Sequence, residues 1–125
     1  MFGTGETMRS DNIDVDETGV LVYTGESVLR SIKILQKTED APLLYLQIFD
    51  HASPTVGTTA PSMVLPVPAG LSGRMVPFRY DLTGPQGGLK LGTAMTIAVT
   101  TSHDGATGPD AGDEPDIVLD YQPLG

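Results

Sequence analysis

The chain has 125 residues, 16 acids against seven Lys and Arg for a formal charge of −9, and neither cysteine nor tryptophan. That length makes one domain, able to bury roughly two-thirds of the surface its unfolded chain exposes, and without cysteine it forms no disulfide or thiolate metal site. Excess acid repels phosphate backbones, which sets nucleic acid aside as a partner, and no apolar run approaches the roughly 18 residues of a membrane span.

The charge is concentrated at two places. Residues 1–17 hold five acids and one base, residues 102–116 five acids and no base, and the rest six of each. Both segments are poor in apolar residues and belong in solvent or against a partner. The start, "MFGTGETMRSDNID", lacks the basic and then apolar regions of a signal peptide, so export is not expected. Residues 1–17 show neither helical nor strand period and read as a flexible acidic N-terminal arm, with the folded domain spanning 18–125. Such an arm orders only on a partner. Its partner-binding residues are then Phe2, Met8 and Ile13 as apolar anchors, with Asp11, Asp14, Asp16 and Glu17 facing basic groups. Inside it, "DVDETG" (Asp14 to Gly19) matches the first half of a calcium loop. The twelfth position is Gly25 rather than glutamate, Glu26 falls one residue late, and "VLVY" after it reads as strand. A solvated acidic segment is the expectation, and no metal site.

From Gly19 onward apolar residues alternate, the mark of half-buried strands. "GVLVYTG" is a short β-branched run. "SVLRSIKILQK" sets Ile32 and Ile34 against Ser31 and Lys33. "LLYLQIFD" puts Leu44, Leu46 and Ile48 on one face; Tyr45, Gln47 and Phe49 take the other, a wetter face that is also partly covered. "SMVLPVPAG" and "RMVPFRY" contain Pro66, Pro68 and Pro77, which confine them to sheet edges because proline lacks the ladder N–H. In "LKLGTAMTIAVTT", Met95, Ile97 and Val99 oppose Thr96, Ala98 and Thr100. The acidic loop "SHDGATGPDAGDEP" follows, and "DIVLDY" closes with Ile117, Leu119 and Tyr121 on one face. About seven or eight short strands predict an all-β fold, an antiparallel β-sandwich or jelly roll. Its core holds Leu44, Leu46, Ile48, Ile97, Val99, Ile117 and Leu119.

The candidate chemical motifs dissolve on inspection. Asp50 and His51 in "FDHASPTVGT" are adjacent, so in a strand they point to opposite faces and cannot orient one another. At a strand end before Ser-Pro, Asp50 is a turn residue that accepts N–H groups of its own "HASPTVG" loop. "SHD", Ser102 to Asp104, has the letters of a triad, but consecutive residues cannot converge in line. There is no G-x-S-x-G elbow, and two loop histidines without paired spacing make no zinc site. "FGTGET" and "GPQGG" lack the Lys-[ST] ending of a phosphate loop. No catalytic residue and no cofactor is predicted; the chain is not read as an enzyme.

The order "LYLQIFDHASPTVGTTAPSMVLPVPAG", "GLKLGTAMTIAVTT", an Asp-rich loop and "DIVLDY" resembles a recurrent family of small β-sandwich proteins encoded among the structural genes of tailed bacteriophages. The resemblance covers roughly residues 28–121. It is carried by Asp50, Pro54, Val56, Gly57, Pro61, Pro66, Pro68, Gly70, Gly88, Leu89, Gly92, Asp113 and Tyr121, mostly turn and packing positions. It implies a virion structural protein made in the host cytoplasm: a capsid decoration, or cement, protein on the capsid exterior. Its implied partners are the major capsid protein and two further copies of itself, in a homotrimer matching local three-fold positions. The acidic arm lies outside the shared pattern. The rival expectation is a tail- or fibre-associated carbohydrate- or receptor-binding module. Against it stand the absent tryptophan and four tyrosines, Tyr23, Tyr45, Tyr80 and Tyr121, that all lie in predicted strands.

Overall fold

Alternation along the chain becomes burial in space. In the last strand Ile117, Leu119 and Tyr121 are buried while Val118, Asp120 and Gln122 stay half-exposed. The computed structural model describes residues 7–39, 41–70, 76–83 and 87–124, and among them no helix occurs. The strands are β1 (Met8–Asn12), β2 (Val20–Thr24), β3 (Ser27–Gln36), β4 (Leu44–Phe49), β5 (Met63–Val67), β6 (Val76–Asp81), β7 (Leu89–Leu91), β8 (Ala94–Thr100) and β9 (Asp116–Pro123).

Every pairing is antiparallel. One sheet, A, runs β1-β9-β3-β6, with short β7 also on β3; the other, B, runs β2-β8-β4-β5. This is one long hairpin of nested pairs (β1 with β9, β2 with β8, β3 with β6, β4 with β5) rolled so that successive pairs fall in opposite sheets. That is a jelly roll, the narrower of the two architectures expected. Between the sheets, Tyr23 of β2 meets Tyr121 of β9 at 5.5 Å between ring centroids. On the opposite side the Tyr80 hydroxyl of β6 donates to the Pro66 carbonyl of β5 at 2.6 Å.

All seven expected core residues are fully buried, together with Leu29, Ile32, Ile34, Val67, Leu91 and Met95. The prolines fall as expected: β5 with Pro66 and β6 with Pro77 are edge strands. Asp50 leaves β4 into the loop 50–62, the innermost turn of the roll.

Three expectations need correction. The run "LKLGTAMTIAVTT" is two strands in different sheets, since the chain crosses from A to B at Gly92 and Thr93. The outer face of sheet B is dry along its central strands: Gln47, Phe49, Thr96, Ala98 and Thr100 are as buried as the core-facing set, while Leu21 and Pro66 at its edges are exposed. Two loops, 50–62 and 101–115, cover that outer face, with the Gln47 amide donating to the Thr100 hydroxyl (2.7 Å) and the Gly105 carbonyl (3.1 Å). The loops meet at Gly57, whose φ of +89° favours glycine and whose added Cβ would stand 2.8 Å from the Ala106 Cβ.

The third correction is the arm. Residues 8–12 are a strand paired with β9, from Met8 opposite Tyr121 to Asn12 opposite Ile117. Val15 sits in the core at 1% exposure, with its N–H donating to the Pro115 carbonyl at 3.0 Å. The Asp16 carbonyl takes the Val99 N–H at 2.8 Å. Position 17 therefore marks no boundary between arm and domain. Strand β1 forms although its own side chains are mostly polar, because β9 would otherwise leave a row of ladder groups unpaired.

Candidate functional site

Asp50 reaches across the end of the sandwich. Its carboxylate accepts the N–H groups of Gly92 (3.0 Å), Thr93 (2.7 Å) and Ala94 (3.2 Å), the residues at which the chain crosses between sheets. Burial opposes ionisation of this carboxyl, but the three N–H groups and the neighbouring His51 outweigh it and hold the pKa below the ordinary aspartate value. The turn role expected of Asp50 holds, but its partners come from the β7–β8 crossing and not from its own loop. His51 turns away: its Nδ1 accepts the Ser53 N–H at 2.8 Å, and its carbonyl accepts the Thr96 hydroxyl at 2.6 Å. The pair is a structural clamp.

In "SHD" the His103 Nδ1 lies 3.6 Å from Asp104 Oδ1, with both side chains more than two-thirds in solvent. The Ser102 carbonyl accepts the Thr100 hydroxyl. No nucleophile, base and carboxylate stand in line. The His103 ring does approach Tyr45, at 6.3 Å between centroids.

The calcium-like segment is occupied by protein. Asp14 adopts φ +55°, a left-handed conformation that aspartate tolerates, and its N–H donates to Asp116 Oδ1 at 3.1 Å. Lys37 Nζ then donates to both carboxylates, at 2.5 Å to Asp14 and 2.7 Å to Asp116. Hydrogen bonds to Asp116 and then Asp14 raise the lysine pKa against the opposing effect of burial. The Asp16 carboxylate accepts the Thr18 N–H at 2.8 Å. Among the described residues no group of three or more His, Asp or Glu is placed to hold a metal ion.

The predicted partner-binding residues therefore divide. Asp14, Asp16 and Glu17 belong to the crossing between the sheets, where Glu17 is half-buried. Met8 (47% exposed) and Ile13 (72%) remain on the surface. Between them Asp11 is exposed and paired with Arg9 at 2.9 Å. Ile13 follows the end of β1, Met8 and Asp11 point to opposite faces of it, and Phe2 lies outside the described residues. Lys37 was missed as the hub of the crossing, because nothing in the string "LQKTED" marks which lysine meets acids far away in sequence. Val15 was missed too, because the left-handed Asp14 breaks the alternation and leaves Ile13 exposed and Val15 buried.

The edges of the two sheets are protected unequally. Strands β5 and β6 carry proline, and β2 is bulged, its register shifting between Leu21 and Tyr23, a device that spoils further pairing. Strand β1 has neither. Short β7, paired only with β3, has neither as well, so β1 is the longer of two edges without proline or bulge among the described strands.

No family model matches the chain, and no curated protein does. Among solved structures, one chain from the structure of infectious bursal disease virus, Gx strain, aligns with a TM-score of 0.27 and 10% identity. The alignment covers 95% of this chain but 34% of that one, so the chain spans about a third of its length. At that TM-score the likeness carries no inference about this protein.

Proposed function

We propose that the chain is a virion structural protein of a tailed bacteriophage that decorates the capsid exterior and stabilises the shell by binding the major capsid protein. It is made in the host cytoplasm, acts as a homotrimer, and performs no chemistry. Two lines support this. The sequence resemblance spans residues 28–121, and the positions that carry it include Asp50, Gly57 and Pro66, which clamp the sheet crossing, join the covering loops and blunt an edge. The jelly roll is a fold that viral capsid proteins use, although fold alone does not settle function.

The observation that carries the reading is the unprotected β1 edge. Natural sheets blunt their edges, and here β2, β5 and β6 are blunted while β1 and the three-residue β7 are not. Strand β1 bears exposed Met8, is followed by exposed Ile13, and offers ladder groups on which a segment of the shell can add as a strand. Co-sedimentation with emptied capsids tests it. Met8→Asp with Ile13→Asp leaves the core untouched and is expected to lower occupancy at least tenfold; undiminished occupancy overturns the assignment of this edge.

A receptor- or carbohydrate-binding role at a tail or fibre draws on one feature, the half-exposed Tyr45 beside His103 over the covered face of sheet B. It predicts binding to a glycan panel that Tyr45→Ala abolishes, with capsid occupancy unaffected.

A further inference from the structure

The outer face of sheet B is largely covered by loops, whereas on that of sheet A Lys33, Arg79 and Asp81 are exposed. Directly paired residues share a face, so two transverse rows can be read across sheet A. One runs Asp11, Val118, Lys33, Arg79; the next runs Arg9, Asp120, Ser31, Asp81. In a chain with more than twice as many acids as bases, Lys33 and Arg79 stand directly opposite each other. Like charges at such a pair are destabilising. The nearest acids do not relieve them. Asp120 accepts the Ser31 hydroxyl at 2.8 Å. Asp81 is drawn into its own turn by the Thr83 N–H and hydroxyl, and feels Arg79 only as the weakest influence on its carboxyl. Neither Lys33 nor Arg79 makes an ion pair among the described residues. A local rule broken without compensation is where a binding role is expected.

The acidic loop supplies a matching shape. Asp110 to Asp113, "DAGD", is a tight turn closed by the Asp113 N–H on the Asp110 carbonyl at 2.9 Å, with Gly112 at φ +94°. The turn is fixed from both sides: Gly112 receives the Thr38 hydroxyl on its carbonyl at 2.5 Å and gives its N–H to Glu114 at 2.6 Å. The ends of such a turn lie within about 7 Å of each other, and paired residues on neighbouring strands lie about 5 Å apart. Two acidic residues and two basic residues thus stand on backbone positions of comparable separation.

We propose that Lys33 and Arg79 form the basic half of a contact between copies of this chain, whose acidic half is the Asp110–Asp113 turn of a second copy. The occupant follows from charge complementarity: the turn carries the acids that lack a base, and sheet A carries the bases that lack an acid. The contact lies on a face, so it leaves the β1 edge free for another partner. It deepens the homotrimer reading and rests on it, whereas the capsid contact at β1 is tested apart from it by co-sedimentation.

Sedimentation equilibrium at 50 mM and 500 mM salt tests it with three samples. Wild type is expected to associate at low salt, with at least tenfold weaker association at high salt, as for exposed charge contacts. The variant Lys33→Glu with Arg79→Glu, and separately Asp110→Lys with Asp113→Lys, are each expected to sediment as monomers. Mixed in equal amounts, they are expected to associate again, because each then supplies the half the other has reversed. Circular dichroism confirms that both variants are folded. A wild type that is monomeric at about 100 μM loading, a concentration at which contacts worth more than about 5.5 kcal/mol populate the associated form, overturns the proposal. So does a charge-reversed variant that associates as wild type does, or a mixture that fails to recover.

Discussion

Replacing Val15 by alanine separates a folded segment from a loose arm. Val15 is 1% exposed and lies in the core cluster between the sheets. The change removes two carbons, worth ~0.8 kcal/mol each on transfer. A cavity left uncollapsed adds at ~24 cal/mol per Å3, so a void of about 30 Å3 adds under ~1 kcal/mol. The expected loss is about 1.5–2.5 kcal/mol, which lowers the melting temperature of a domain this size by roughly 5–10 °C. Ile13→Ala, two residues away and 72% exposed, is the control and should stay within about 0.5 kcal/mol. Urea titration gives the difference directly, with m-values compared to confirm an unchanged transition. If both variants unfold at the wild-type midpoint, residues 8–17 do not belong to the folded unit and the β1–β9 pairing is refuted. Deleting residues 2–16 extends the test, and its loss should exceed that of Val15→Ala because β1 goes too.

Four further outcomes are expected. Asp50→Asn should cost about 1–2 kcal/mol at neutral pH, as loss of a capping carboxylate does. Because the folded Asp50 carboxyl titrates below its unfolded value, its stabilisation is complete above about pH 4 and lost as pH falls through the folded value. Acid titration of stability should therefore be flatter in the variant than in wild type from pH ~4 downward. Gly57→Ala puts a side chain at φ +89° against Ala106 and should cost roughly 1–3 kcal/mol, with faster amide exchange in both covering loops. Lys37→Met leaves the Asp14 and Asp116 carboxylates facing each other; a loss of about 1–2 kcal/mol at low salt should shrink near 0.5 M salt, measured by paired urea titrations. Ile97→Ala should cost about 2–5 kcal/mol, and a value near zero would place Ile97 on the surface.

The strands with an apolar partner on each side were legible, because burial imposes the two-residue period that the eye reads. Strands β4, β8 and β9 show it plainly. Strand β1 was not, and the reason is physical: at an edge, Met8, Ser10 and Asn12 face the rim and Arg9 and Asp11 face water, so packing dictates little. Its existence is decided by β9, which no local window contains. The crossing at Gly92 was hidden for a similar cause: "LKLGTAMTIAV" alternates smoothly through it, and only the Asp50 carboxylate from another loop shows where the chain turns. Turn chemistry predicted that Asp50 caps something, and its partners lay beyond the reach of sequence spacing. The covered face of sheet B was half legible, since Phe49 and Tyr45 are too apolar for an open face. Lys33 and Arg79 were legible as charges but not as neighbours; register made them so.

The nested winding of the roll also sets an order of events in time. Only β4 and β5 join strands adjacent in the chain by a single loop within one sheet; every other layer waits for a strand made later. The outermost layer is the extreme case, for Asp14 and Asp116 hydrogen-bond across 102 residues of sequence. Closing so long a loop before any contact rewards it makes folding slow. During synthesis β1 leaves the ribosome before β9, its strand partner among the described residues. Until β9 follows, a nascent chain carries an unpaired strand and an open core, the state in which crowded β-proteins aggregate. The acidic residues around that strand give such chains a like charge, and like charge opposes their association.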